Sequence, residues 1–278
     1  MNLTRYELLM EIGWKPVFAQ QLMDHPDHLQ PARVVVVQRT GLTIAPPVDS
    51  FEEVVIGGRF YQQEVEARPT VGDWVLVDPE TGALEEVLER TSLIKRLNPA
   101  GEVQLIAANI DTAFIVTSCN EDFNLARLER YLSVIMEAEI QPVVVLTKID
   151  LTADLDEYLD KARSLGGDIP VEAVNALDED SLAGLSGWCG AGQSIALLGS
   201  SGVGKSTLVN TLCGSPLQAT QTIREDDAKG RHTTTHRSLH KLPQGGVILD
   251  SPGMREFQLA EAEQGVGSVF ADIEELAL

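Results

Sequence analysis

Cysteine is scarce in this chain, with only Cys119, Cys189 and Cys213 among 278 residues. They are odd in number and widely spaced, which excludes a disulfide framework and a Cys-x-x-Cys metal clasp and points to a reducing, cytoplasmic compartment. Long apolar runs are missing too. No stretch approaches the roughly 18 residues that a membrane span needs. The start of the chain mixes Arg5, Glu7, Glu11 and Lys15 into its apolar positions, so neither a secretory nor a membrane route is expected. Positive charge is the third shortage: 21 Lys and Arg stand against 42 Asp and Glu, a net charge of −21. This excludes a chain that coats nucleic acid indiscriminately, because phosphate binding needs local clusters of cations. Any such contact must be focused on one face, or shared with protein surfaces of the partner.

What is present is 44% hydrophobic residues, enough for a substantial core in one large domain or two. Residues 6–23 carry apolar side chains at helical spacing and run into His25-Pro26-Asp27-His28, so a helix and linker fill 1–30. Short β-rich runs follow at 33–37, 42–45, 51–56, 59–67, 73–77 and 84–89, with Gly57-Gly58 and 79–82 as turns. They predict a small closed barrel of five or six strands, of OB type, over 31–100. From 104 the texture alternates between strand and helix, with strands at 111–117, 142–146, 171–174, 194–198 and 246–249 and an amphipathic helix at 124–138. This is an α/β pattern, a mostly parallel sheet covered on both faces, over 101–262; residues 263–278 begin a C-terminal region.

The sharpest motif is Gly199-Ser200-Ser201-Gly202-Val203-Gly204-Lys205-Ser206, which fits G-x-x-x-x-G-K-[ST] between a strand and a helix that begins at Thr207. Its glycines let backbone N–H groups converge on phosphates, Lys205 reaches the β and γ oxygens, and Ser206 can ligate Mg²⁺. Thr147-Lys148-Ile149-Asp150 follows an apolar strand and is similar to the N-K-x-D base-recognition motif, with Thr147 in place of Asn. A carboxylate at Asp150 accepts both guanine N1–H and N2–H₂, which adenine does not offer, so it selects G over A. The Lys148 stem can lie across the purine. Asp250-Ser251-Pro252-Gly253 fits D-x-x-G, where Asp250 would hold Mg²⁺ through water and the Gly253 N–H would meet the γ-phosphate. Between the two phosphate motifs, the polar segment 229–237 carries Thr234 and Thr235, either of which could complete the Mg²⁺ shell in a loop ordered by γ-phosphate. Asn175-Ala176 occupies the place of the short loop that buttresses the base.

In Ras-like GTPases the order is phosphate loop, switch threonine, D-x-x-G, base motif, buttress loop. Here the base motif and buttress come first, a cyclic shift that preserves the site if the original termini lie close together. Together with the barrel, Gly230-Arg231-His232-Thr233-Thr234-Thr235 and Asp250 to Phe257, this order resembles the RsgA (YjeQ) family from about residue 31 onward. The resemblance implies a circularly permuted GTPase that assists late maturation of the small ribosomal subunit, binds its rRNA and is stimulated by it. It also implies a C-terminal zinc-binding domain; no Cys/His cluster follows Phe270, so no zinc site is expected within these residues. Met254 stands where Ras-like enzymes place a water-orienting Gln, and the resemblance suggests His232 for that task. With neither that Gln nor an arginine finger in the chain, slow intrinsic hydrolysis is expected.

Arg59, Tyr61, Arg68 and Trp74 are the barrel's candidates for RNA contact, with Trp74, in an apolar strand, expected in the core. Arg224, Lys229, Arg231, Arg237 and Lys241 form the one locally basic run. A monomer binding GTP or GDP is the expectation. Two other readings remain open, an ATP-dependent kinase or transport-type ATPase and an RNA-binding module with nucleotide as a structural ligand.

Overall fold

The computed structural model describes residues 3–38, 41–48, 51–98, 100–214 and 238–250. It opens with two helices in place of the single one expected over 6–23, α1 (Leu3–Glu11) and α2 (Pro16–Gln21). Gly13 breaks them: its φ is +99°, and a Cβ there would stand 2.5 Å from the Arg33 guanidinium. Pro16 then starts the second helix at its first position, where a missing N–H costs nothing.

A half-barrel follows, of strands β1 (Gln30–Val37), β2 (Gly41–Val48), β3 (Phe51–Val55), β4 (Trp74–Val77) and β5 (Leu84–Val87), antiparallel in the order β5-β4-β1-β2-β3. The strand expected at 59–67 is instead helix α3 (Gly58–Gln62) and a 3₁₀ turn, Val65–Ala67. Phe60 of α3 fills the half-barrel core, while Arg59 donates to the Leu84 carbonyl of β5 at 3.0 Å. Among the described residues no ladder joins β3 to β5, so pairing does not close the barrel there and α3 lies between. The all-apolar β4 serves two cores: Val75 and Val77 face the half-barrel, Trp74 and Leu76 face Leu9, Trp14 and Phe18 of the N-terminal segment. Trp14 meets Trp74 edge-on with centroids 4.7 Å apart.

The hairpin β6 (Leu93–Leu97) and β7 (Val103–Ala108) spans the expected boundary at 100. Beyond it come β8 (Thr112–Ser118), α4 (Leu125–Glu137), β9 (Gln141–Thr147), α5 (Leu155–Arg163), β10 (Val171–Ala173), β11 (Ser194–Leu198), α6 (Lys205–Cys213), β12 (Ser238–Lys241) and β13 (Val247–Asp250). The order β10-β9-β8-β11-β13 is parallel throughout. Every residue of β8 and β11 is buried, as a sheet covered on both faces requires. One face packs Phe114, Val116, Ile195 and Leu197 on α6; the other packs Ile115, Ala196 and Leu198 on α4. Strand β12, which follows the expected loop at 229–237 and contains Lys241 of the basic run, is antiparallel to β13 and touches β1 through the pair Val36 and Ser238. Half-barrel and parallel sheet thus share one hydrogen-bonded surface. No described helix is long and apolar enough to cross a membrane.

Candidate nucleotide site

The parallel strands end on one edge, the place where open α/β sheets bind ligands. Three motif-bearing loops leave that edge, after β9, β10 and β11, and β13 ends beside them.

After β11 the chain turns at Gly199, with φ +146°, where an added Cβ would lie 2.2 Å from the Val116 carbonyl of β8. Only glycine lets the loop pass so close to its neighbour. Ser200 and Val203 are buried beneath the loop, Ser201 and Gly202 are exposed at its crest, and Gly204, φ +99°, caps α6. Lys205 folds back over the loop and donates to the carbonyls of Gly199 (2.6 Å) and Ser200. These acceptors are neutral, so an anionic phosphate oxygen would draw the same ammonium more strongly. Ser206 and Thr207 lie in the first turn of α6, whose N–H groups and dipole favour an anion.

Thr147 ends β9 fully buried. Its hydroxyl lies 2.5 Å from the Val203 carbonyl and 3.1 Å from that of Thr117, and its one proton serves the nearer. The side chain that departs from the Asn pattern therefore still ties the base loop to the phosphate loop. Thr147→Val is expected to cost about 1–3 kcal/mol by stranding that buried carbonyl, seen as a lower melting midpoint and faster nucleotide release. Lys148 then takes the left-handed conformation, φ 59°, and throws Ile149, Asp150 and Leu151 into a 3₁₀ turn that leaves Asp150 exposed.

Asn175 and Ala176 follow β10, whose register sets Ala173 beside Leu146, one residue short of Thr147. The Asn175 N–H donates to Ser181 Oγ at 2.8 Å, and its side-chain oxygen accepts from the Leu177 N–H at 3.1 Å. Thr211, on α6, donates to the Ala176 carbonyl at 2.6 Å. A contact from the second turn of a helix carries no sequence signature, and Thr211 had given none. Tyr131 of α4 packs in the core on the other face of the sheet, where burial raises its pKa.

Strand β13 brings Asp250 to the same edge beside β11. The Asp250 side chain, Gly253, Met254, His232, Thr234 and Thr235 lie outside the described residues, as do Arg224, Lys229, Arg231 and Arg237. Of the half-barrel candidates for RNA contact, Trp74 is buried in the core, Arg59 is engaged by β5 and Glu85, Arg68 donates to the Tyr61 carbonyl, and Tyr61 is exposed. Lys241 pairs with Glu11 at 2.5 Å. Burial pushes the Cys119 thiol up to about 11 and Cys189 to about 12, so neither supplies a thiolate near neutrality.

The chain has relatives among known proteins. The model of the RsgA GTPase family matches residues 87–260. A small ribosomal subunit biogenesis GTPase RsgA 2 of Vibrio vulnificus is 49% identical over 97% of this chain and 76% of its own length. The RsgA of Mesorhizobium japonicum, of the same description, is 45% identical over 97% and 78%. The crystal structure of YloQ, a circularly permuted GTPase, aligns with TM-score 0.58 and 25% identity over 90% of this chain and 82% of its own. That of YjeQ from Thermotoga maritima aligns with TM-score 0.61 over 83% and 77%, and at 23% identity speaks to the fold alone. With half its residues shared with one relative and the family's own domain matched across most of the parallel sheet, the chain belongs to the RsgA GTPase family.

Proposed function

We propose that this chain hydrolyses GTP in the maturation of the small ribosomal subunit, in the cytoplasm and as a monomer, with turnover raised by the subunit. Its support is the convergence of the phosphate loop, the Thr147 loop and the end of β13 on one sheet edge, in permuted order. The half-barrel is the OB-type module that meets rRNA, with Tyr61 on its exposed surface. Residues 1–30, 31–100 and 101–262 act as N-terminal, barrel and GTPase segments, and 263–278 as the start of a C-terminal region to which a zinc domain belongs in the family.

In the reaction water attacks the γ-phosphorus, a new P–O bond replaces the bond to the bridging oxygen, and GDP leaves. Residues 199–206 hold the phosphates and Lys205 offsets charge on the β and γ oxygens. Asp150 reads the base, Lys148 lies along it, and Asn175-Ala176 backs it. The oxygen donors at Ser206 and Asp250, with Thr234 or Thr235, suit Mg²⁺, a hard cation that would neutralise charge on the phosphates. The Ser206 turn and the end of β13 fit this, since they lie on adjacent parallel strands or their continuation. His232 orients water and the Gly253 N–H meets the γ-phosphate.

The test is GTP and ATP hydrolysis, with and without purified small subunits. GTP-selective turnover raised by the subunit is expected. Asp150→Asn should weaken GTP roughly ten- to hundredfold, as loss of a charged hydrogen bond does, and should narrow the gap to ATP. Turnover that ignores base and subunit alike would leave a general P-loop NTPase.

A further inference from the structure

Arg33 lies in the middle of β1 and is 1% exposed. Four of its five N–H groups are engaged: Nε donates to the Gly72 carbonyl at 3.2 Å, one terminal nitrogen to the Ile12 carbonyl and to Ser194 Oγ at 2.8 Å, the other to the Asn109 carbonyl at 2.9 Å. The guanidinium also lies 5.3 Å from the Trp74 ring centroid. Burial lowers its pKa to about 10, so it carries its charge at neutral pH. The acceptors come from four segments: the end of α1, the turn into β4, the turn into β8, and the first residue of β11. A buried charge is tolerated only while its donors are satisfied. The four segments therefore cannot part without stranding it.

Two flanking pairs strengthen the junction. Lys15 pairs with Asp111, whose other oxygen accepts from the Ser194 N–H at 2.9 Å. Glu11 pairs with Lys241 of β12. Strand β12, joined to β1 at Val36 and Ser238, follows directly on 229–237, the segment expected to order on γ-phosphate, and pairs with β13, which ends at Asp250. Strand β11 runs from Ser194 directly into the phosphate loop.

We infer that Arg33 is a positioning residue for the nucleotide site, and that the junction it holds couples the nucleotide state to the half-barrel and the N-terminal helices. The inference rests on the GTPase reading. Coupling is reciprocal: if a partner on the half-barrel alters nucleotide affinity, the nucleotide must alter the half-barrel side equally. That second direction is measurable on the protein alone.

The experiment is hydrogen exchange on the full chain with Mg²⁺ and either GDP or a non-hydrolysable GTP analogue. Amides 199–206 should be protected by both nucleotides. Amides 9–14 and 34–38 should differ between the two states by about twofold or more in exchange rate. Arg33→Lys, which keeps the charge but replaces a planar fork with a point donor, should abolish that difference. Phe60→Leu, in the half-barrel core, is the control for lost stability and should keep it. Protection at 199–206 with identical exchange at 9–14 and 34–38 would overturn the inference, as would a difference that survives in Arg33→Lys or vanishes in Phe60→Leu. Absence of protection at 199–206 would instead strike the nucleotide reading.

Discussion

Lys205→Met is expected to lower GTP turnover by between about a hundredfold and a thousandfold, the range for removing one preorganised charge-stabilising donor. The stem of Lys205 keeps its place in the first turn of α6, and methionine occupies similar volume there. What is lost is the ammonium, which now rests on the carbonyls of Gly199 and Ser200. Those carbonyls belong to buried residues, so the variant should also lose about 1–3 kcal/mol of stability. Single-turnover hydrolysis beside a melting curve separates the two effects. Turnover within a few-fold of wild type would mean that the phosphate charge is met elsewhere.

The largest loss of stability should come from Arg33→Met, about 3–5 kcal/mol. Methionine matches much of the bulk but donates nothing, so the carbonyls of Ile12, Gly72 and Asn109 and the Ser194 hydroxyl lose their common partner at once. Relief from burying a charge offsets only part of this. The melting midpoint should fall on the order of 10 °C, checked by calorimetry and by urea titration. A shift under about 1 kcal/mol, the effect of an ordinary surface change, would show that water reaches these acceptors as readily as Arg33 does.

The two residues differ in how far they could be anticipated. Lys205 belongs to a motif whose spacing is dictated by phosphate geometry, so it could be named as a candidate before any fold was known. The same holds for Thr147 to Asp150 and for the permuted order of the loops, because each chemical task demands particular residues at the end of an apolar strand. The role of Thr147 was only half legible: its departure from Asn was plain, but its bond to Val203 depends on two loops 56 residues apart. Arg33 sits among Ala32, Val34 and other apolar neighbours, a cation in a strand that reads as core; its partners are mostly backbone carbonyls, which leave no trace in sequence.

The errors have equally local causes. Residues 59–67 carry Phe60, Tyr61 and Val65 at intervals compatible with either period, and the helix there is decided by Phe60 entering the half-barrel core. The expected single N-terminal helix gave way because Gly13 yields its space to the Arg33 guanidinium. Strand β12 was hidden because its four residues, two of them His240 and Lys241, read as an extension of the basic segment before them.

Strand β12 is also the outermost strand of the nucleotide-binding sheet, and β1 meets it through one residue pair. A sheet edge with its N–H and C=O groups bare is a template for other chains. Here the N-terminal module engages that edge at Ser238 and sets Glu11 against Lys241, while Arg33 seals the Asn109 and Ser194 acceptors. A nucleotide domain begun near residue 101 would emerge from synthesis with edge and acceptors both open, a surface prone to self-association. Because 1–100 precedes it in the chain, the cover is made before the strand that needs it.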